Sequence, residues 1–182
     1  MKIKLNLIMR CEVCKSINTF KFLDLGKQPL CDDLISINSK KKCLKYPSQI
    51  FFCKNCYTAL HKTKIKPSTL FPKNYHYRPR FTKDVLDGME DFASSIEKFT
   101  NKKKAKILDI GCNDGSLLDI FHKRKHITYG IEPTGAAKEA NKKHKILNNF
   151  FNIKTAKIFK KKYSYPDIIT FTNVFAHINN FS

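Results

Sequence analysis

Residues 107–118 combine a short apolar run with a glycine turn, and their sequence is Ile107-Leu108-Asp109-Ile110-Gly111-Cys112-Asn113-Asp114-Gly115-Ser116-Leu117-Leu118. The run before the turn predicts a buried strand, and the residues after the turn predict the start of a helix. Gly111 and Gly115 permit backbone conformations, and close approach of a ligand, that a side chain would prevent. Exposed amides at the helix start suit an anionic group of a ligand. This segment therefore predicts a ligand site in an α/β fold.

Strand-like and helical segments alternate on both sides of this turn. The predicted strands are 107–110, 128–131, 145–147 and 167–172, and the helices between them are 116–122, 135–143 and 154–162. A further helix over 81–100 precedes them, because its apolar residues recur with a period close to 3.6. Strands separated by helices form a parallel sheet with right-handed crossovers. In such sheets the strand order reverses beside the first strand, and the ligand crevice opens there.

An acidic residue follows the second predicted strand at the place where a nucleoside would bind. Glu132 lies 21 residues after Gly111, where a carboxylate meets both ribose hydroxyls. A dinucleotide site requires G-x-G-x-x-G, whereas this turn reads G-C-N-D-G, and Asp114 would repel a diphosphate. S-adenosylmethionine has no phosphate and carries a sulfonium and an ammonium, so acidic residues suit it. The turn therefore predicts an S-adenosylmethionine site, and a glycine turn in an α/β domain that binds nothing is the alternative.

Six of the seven cysteines lie in the first third of the chain. Four of them form two C-x-x-C pairs with 38 residues between the pairs. Each two-residue gap lets a tight turn direct both thiolates to one metal ion, and two such turns complete a tetrahedral site that suits zinc. The metal would let a region with a thin core fold. The predicted ligands are Cys11, Cys14, Cys53 and Cys56. Disulfides are the alternative, and Cys31 and Cys43 are expected to be small buried residues or free thiols.

The chain of 182 residues carries a formal net charge of +20. Only four of its 35 basic residues are arginines, the residue that nucleic-acid readers favour. Its lysine clusters lack interleaved aromatics, so we interpret them as solvated surface, and a zinc-dependent nucleic-acid-binding module without catalysis is the alternative. No apolar run approaches the ~20 residues of a membrane span; the best, 5–9, is short and the chain start has no signal-peptide pattern. We expect a soluble, cytoplasmic protein with a small-molecule substrate.

With these features, the chain resembles the zinc-containing C-methyltransferases of nucleotide-linked deoxysugars, within the class I S-adenosylmethionine-dependent methyltransferases. The similarity runs through essentially the whole chain. It rests on the cysteine pairs, the linker 70–77, the glycine turn, Gly130-Ile131-Glu132-Pro133-Thr134 and Asn173-Val174-Phe175-Ala176-His177. The resemblance implies a zinc-ribbon-like module at 1–70, a linker and helix at 71–104, and the first half of a Rossmann-like, S-adenosylmethionine-binding methyltransferase domain at 105–182.

The resemblance also implies a function and a set of site residues. The function is C-methylation of a keto-deoxysugar nucleotide, with methylation of another small molecule at O or N as the alternative. The implied catalytic residues are Tyr75, Tyr77 and His177, which would orient or stabilise an enolate oxygen. The predicted cofactor-binding residues are Asp109, Gly111, Asn113, Asp114, Gly115 and Glu132, with Asn149, Phe150 and Asn173 as wall residues.

The chain departs from this family in two respects. Arg78-Pro79-Arg80 stands where relatives often have serines, and an arginine pair suits the diphosphate of a sugar nucleotide. Relatives also continue well beyond Ser182, and their catalytic base lies in that later part. We therefore expect an incomplete fragment, or one half of a split enzyme completed by a second polypeptide. The strand at 168–171 would then offer an unpaired edge that invites aggregation or pairing.

Overall fold

The computed structural model describes residues 9–100 and 102–178. The chain divides into two compact units, with the boundary between Leu70 and Phe71. The apolar run at 5–9, apart from Met9, lies outside the described residues. In the described part of the chain, no helix is both long enough and apolar enough to cross a membrane.

The first unit is built on a three-stranded antiparallel sheet in the order β1-β2-β3. Its strands are β1 (Thr19–Pro29), β2 (Lys45–Cys53) and β3 (Ala59–His61), and a short helix α1 (Pro67–Leu70) follows them. The buried cluster of this unit consists of Cys11, Phe51, Cys53 and Leu60. Because two of these four residues are cysteines, the apolar core is as thin as the sequence suggests.

The second unit is an α/β structure with parallel strands, as predicted. Its elements are α2 (Lys83–Phe99), β4 (Lys106–Ile110), α3 (Ser116–Lys123), β5 (Ile127–Ile131), α4 (Ala137–Ala140), β6 (Lys145–Leu147), α5 (Ile153–Tyr163) and β7 (Ile168–Phe171). The strand order is β6-β5-β4-β7, and every neighbouring pair is parallel. The first strand of this unit, β4, therefore lies between β5 and β7, so the strand order reverses beside β4 as expected.

Apolar clusters cover both faces of this parallel sheet. On one face Ile107 packs with Ala93 of α2 and with Leu117 and Phe121 of α3. On the other face Leu108 and Ile110 pack with Tyr129, Ile131 and Phe159. Burial on both faces explains why the strands read as continuous apolar runs in the sequence rather than as alternating patterns.

The main difference from the predicted elements is helix α4. The sequence predicts a helix over 135–143, but only Ala137–Ala140 is helical and residues 141–143 form a turn. The turn places His144 in the interior, where its Nδ1 atom lies 2.8 Å from Thr128 Oγ1 and its Nε2 atom 3.2 Å from Asp119. This buried polar pairing across the fold ends the helix earlier than the local pattern indicates.

The strand β7 lies at one edge of the sheet. Within the residues that the structure describes, it pairs with β4, and Ile169 is half-exposed. The segment after β7 forms a 3₁₀ turn at Phe175–His177. This segment and the loops after β4, β5 and β6 all follow the carboxyl ends of parallel strands, the edge where such sheets bind ligands.

Candidate functional site

The four predicted zinc ligands converge in the first unit. The Sγ atoms of Cys11, Cys14, Cys53 and Cys56 all lie within 4.8 Å of one another. The Sγ atoms of Cys11 and Cys56 are 3.6 Å apart, and those of Cys14 and Cys53 are 3.5 Å apart. A tetrahedral zinc ion with Zn–S bonds of about 2.3 Å holds its sulfurs roughly 3.8 Å apart. The four thiols therefore fit a structural zinc site with no open position.

The two C-x-x-C turns have the same backbone path. In the first, the amide of Lys15 donates to the carbonyl of Cys11 at 3.0 Å; in the second, the amide of Tyr57 donates to the carbonyl of Cys53 at 2.9 Å. Lys15 and Tyr57 both have left-handed backbones, with φ of 63° and 57°. Non-glycine residues hold this conformation only where the surroundings require it, and here it directs both thiols of each turn to one point.

The other two cysteines of the first unit do not join this cluster. Cys31 is exposed, and the Cys43 thiol donates to the carbonyl of Asp33 at 3.4 Å. Cys31 is therefore a free surface thiol rather than a buried residue. The part of the chain that the structure describes contains no other group of three or more cysteine, histidine or acidic ligands placed for a metal ion.

In the second unit, the glycine turn follows β4 as predicted. Gly111 has φ of +72° and Gly115 has φ of +84°, so both adopt the left-handed conformation that glycine tolerates. A Cβ atom on Gly111 would lie 2.4 Å from Val174 Cγ2. The buried Cys112 between them packs closely against Gly130. The turn therefore needs glycine for its backbone conformation and for contact with the segment after β7.

The acidic residue at the end of β5 contacts this turn directly. The buried carboxylate of Glu132 accepts hydrogen bonds from the amide of Asn113 at 3.0 Å and from the amide of Thr134 at 2.9 Å. Among the described residues, the Oδ1 atom of Asn113 is buried without a hydrogen-bond partner. Such acceptors are normally satisfied, so this atom has a free acceptor position in the part of the chain that the structure describes.

A second buried carboxyl group lies beneath the turn on β4. Asp109 accepts a hydrogen bond from Thr170 Oγ1 at 2.7 Å. Burial and the nearby Glu132 carboxylate raise the pKa of Asp109 to about 7, although the Thr170 hydrogen bond opposes this shift. An ionised carboxylate here is disfavoured without a nearby cation.

Asp114 is oriented by the protein itself. One carboxylate oxygen accepts from the amide of Ser116 at 3.0 Å and from its hydroxyl at 2.6 Å, and the other accepts from Arg80 Nε at 2.7 Å. Burial would raise the pKa of Asp114, but the hydrogen bonds from Ser116 and Arg80 outweigh it and lower the pKa. Asp114 therefore holds the start of α3, and a direct contact with the cofactor stays a prediction.

The arginine pair does not form the diphosphate cradle that the sequence suggests. Arg78 Nε lies 2.8 Å from Glu139, and Arg80 lies 2.7 Å from Asp114 and 3.4 Å from Glu139. Acidic residues of the same unit thus neutralise both guanidinium groups. This pairing spans 34 to 61 positions of the chain, so no local pattern could have revealed it.

The predicted catalytic residues lie around one aromatic side chain and the glycine turn. The ring of Phe71 lies 5.6 Å from that of Tyr75 and 5.0 Å from that of His177. Tyr77 is exposed, and its carbonyl accepts from Asn113 Nδ2 at 3.1 Å. The structure therefore brings Tyr75 and His177 together through Phe71, while Tyr77 adjoins the turn through its backbone.

The predicted wall residues follow the outer strands. Asn149 accepts from the amide of Phe150 at 2.9 Å in the loop after β6, and Asn173, two residues after the end of β7, has φ of 56°. Sequence reasoning missed Asn148, whose side-chain amide donates to the carbonyls of Glu132 at 2.7 Å and Thr134 at 3.0 Å. Asn148 thus ties the loop after β6 to the loop after β5, a role that carries no sequence signature.

Comparisons with known proteins were made for both units. Residues 11–71 match a family model described as "Putative zinc binding domain", and residues 76–182 match a methyltransferase domain. No match was found among curated proteins.

Among solved structures, the chain is similar to the plantazolicin methyltransferase BpumL in complex with SAH, at 27% identity and a TM-score of 0.36 over 46% of this chain and 33% of that one. A complex of the same enzyme with a pentazolic desmethylPZN analog and SAH gives 27% identity and a TM-score of 0.38, over 50% and 36% of the two chains. The chain spans about a third of the length of these solved structures.

The order of the two matched families agrees with the predicted fold class, a zinc-binding module followed by an α/β methyltransferase domain. The matches also support both predicted cofactors, zinc for the four-cysteine module and S-adenosylmethionine for the second unit. Because the second model matches more than half of the chain, the chain belongs to this family of methyltransferase domains.

Proposed function

We propose that this chain binds S-adenosylmethionine at the edge formed by the glycine turn and Glu132, and that it belongs to an enzyme that methylates a carbon of a keto-deoxysugar nucleotide. The observation that carries the cofactor part lies at Asn113, whose backbone amide donates to Glu132 and whose side-chain Oδ1 is buried without a hydrogen-bond partner among the described residues. Both features suit a ligand with hydroxyl and ammonium donors and no phosphate.

When bound, S-adenosylmethionine supplies an electrophilic methyl group on a sulfonium. The surrounding carboxyl groups of Asp109 and Glu132 favour a cationic ligand. Methyl transfer is an in-line displacement, so the main task of the protein is to hold donor and acceptor in line.

The acceptor part of the proposal rests on the aromatic cluster. A carbon next to a ketone becomes nucleophilic when a base removes its proton and a donor stabilises the enolate oxygen. Tyr75 and His177, which both contact Phe71, are our candidates to orient that oxygen, and Tyr77 lies beside the glycine turn. Since Arg78 and Arg80 are paired internally, the proposal of a sugar nucleotide rests on the family resemblance of the linker and of residues 173–177.

Calorimetry with S-adenosylhomocysteine tests the cofactor site. The Glu132→Gln variant should bind it more weakly by about 1–3 kcal/mol, because hydrogen bonds to a charged acceptor are lost. Glu97→Gln is a matched control, since Glu97 pairs with Arg124 and His126 near the amino ends of β4 and β5, at the opposite edge of the sheet. No measurable binding by the wild-type chain would contradict the proposed function, and unchanged affinity in Glu132→Gln would contradict the role of Glu132.

Methyl transfer to a panel of keto-deoxysugar nucleotides tests the acceptor. We expect methyl label from S-adenosylmethionine to appear on a carbon next to the ketone, as determined by carbon NMR of the product. Labelling of an oxygen or nitrogen instead would contradict the proposed C-methylation while leaving the cofactor site intact.

A further inference from the structure

The guanidinium group of Arg80 forms hydrogen bonds with both the side chain and the main chain of Asp114 in the glycine turn. Arg80 Nε lies 2.7 Å from Asp114 Oδ2, and Arg80 Nη2 donates to the Asp114 carbonyl at 3.0 Å. The planar arrangement of guanidinium donors allows two such bonds at once, which an ammonium cannot reproduce. Arg80 therefore fixes the orientation of Asp114 rather than merely neutralising it.

Asp114 needs this partner because its side chain is completely buried. A buried carboxylate without a cation or sufficient donors is strongly unfavourable. The remaining oxygen of Asp114 holds the amide and hydroxyl of Ser116 at the start of α3. The preceding residue, Asn113, bonds to Glu132. A movement of Asp114 would therefore displace the turn on both sides.

A second acidic residue extends this arrangement to the linker that precedes α2. Glu139 of α4 lies 3.4 Å from Arg80 and 2.8 Å from Arg78. Arg78 in turn donates to the carbonyls of Tyr75 at 2.7 Å and Tyr77 at 2.8 Å. Acidic and basic side chains alternate from the glycine turn to the tyrosine segment, so a single network connects the predicted cofactor side to the predicted acceptor side.

We propose that Arg80 is a positioning residue for cofactor binding, which acts through Asp114 to hold the glycine turn in its binding conformation. This inference rests on the proposed function and adds to it a residue that lies outside the glycine motif. It also gives the Arg78-Pro79-Arg80 segment a role in organising the site, in place of contact with an anionic substrate.

The first test compares arginine variants by calorimetry with S-adenosylhomocysteine. Arg80→Gln should weaken binding about tenfold, the size of coupling seen between contacting residues in one network. Arg124→Gln is the matched control, because Arg124 also pairs with two carboxylates, Glu90 and Glu97, away from the turn. Both variants should lower the thermal unfolding midpoint, but Arg124→Gln should keep wild-type affinity. Equal affinity of Arg80→Gln and the wild type would overturn the proposal.

Rescue and coupling separate positioning from a general loss of structure. Arg80→Lys keeps a cation beside Asp114 but cannot make both bonds, so its affinity for S-adenosylhomocysteine should lie between those of the wild type and Arg80→Gln. In a double-mutant cycle, adding Arg80→Gln to Asp114→Asn should change affinity less than about twofold, because the charged contact through which Arg80 orients Asp114 is already lost.

If the effects of Arg80→Gln and Asp114→Asn on affinity are fully additive, the proposal is overturned. It is also overturned if Arg80→Lys binds S-adenosylhomocysteine as weakly as a folded Arg80→Gln variant. If Arg80→Gln does not fold, the proposal is tested by the affinity of Arg80→Lys and by the effect of Arg80→Gln in the Asp114→Asn variant. A wild-type chain that does not bind S-adenosylhomocysteine would instead overturn the proposed function, and this inference with it.

Discussion

The two units of this chain reach a folded state by different physical means. In the first unit, two of the four buried cluster residues are metal ligands, and large apolar side chains such as Phe22 and Tyr57 remain exposed. In the second unit, apolar clusters cover both faces of the central strand β4. The comparison teaches that metal binding stabilises one unit, whereas burial of apolar surface stabilises the other.

Metal removal should produce the largest difference between the units. Cys53→Ser should release zinc and unfold residues 11–71, because structural zinc contributes about 10–16 kcal/mol to such modules. The second unit has its own core and should stay folded. Elemental analysis and hydrogen exchange resolved along the chain measure both effects.

Cys31→Ser is the control for this prediction, since Cys31 is exposed and outside the cluster. It should leave the zinc content unchanged. Stoichiometric zinc in a variant that carries both Cys11→Ser and Cys53→Ser would contradict the ligand assignment.

Truncation of a buried side chain in the second unit should destabilise that unit without affecting the zinc site of the first. Phe121 is fully buried in the cluster between α2, α3 and β4. Phe121→Ala should therefore destabilise the second unit by about 3–5 kcal/mol and leave zinc content unchanged. Denaturant unfolding followed by hydrogen exchange measures the loss. Phe99→Ala, at the exposed end of α2, should change stability by less than about 0.5 kcal/mol, and an equal effect of the two variants would show that burial is not the cause.

A smaller, pH-dependent effect should come from Asp109. Its pKa is raised from 3.8 to about 7 in the folded chain, so the folded state binds more protons than the unfolded state between these values. Stability should therefore fall as pH rises through this window, by roughly 2–3 kcal/mol between pH 5 and pH 8. Asp109→Asn should remove this part of the pH dependence and be the more stable protein at pH 8. Identical pH profiles of the second unit in the two proteins would exclude an elevated pKa.

Features encoded by local spacing were predictable from the sequence. The cluster of four cysteines follows from the two C-x-x-C turns, and the contact between the glycine turn and Glu132 follows from a strand, a turn and a second strand end. In both cases the residue types and their spacing already determine which atoms can meet.

Features that depend on distant partners were not predictable. The sequence suggested that Arg78 and Arg80 could bind a diphosphate, but in the folded chain Arg78 pairs with Glu139 and Arg80 pairs with Asp114. The early end of α4 likewise depends on burial of His144 against Thr128. Whether a local preference or a long-range polar contact prevails depends on which distant residues the fold brings together, and the sequence pattern alone does not show this.

The position of Cys112 has a practical consequence for chemical labelling. Of the seven cysteines, it alone belongs to the second unit, and its thiol is packed against Gly130. Burial raises the pKa of Cys112 well above its ordinary value, and the carboxylates of Asp109 and Glu132 add to this shift. Since only a thiolate attacks electrophiles readily, maleimide or iodoacetamide reagents should leave Cys112 in the glycine turn unmodified. An exposed thiol such as Cys31 would carry the label, so a fluorophore can be attached to the first unit of this protein without mutating the second.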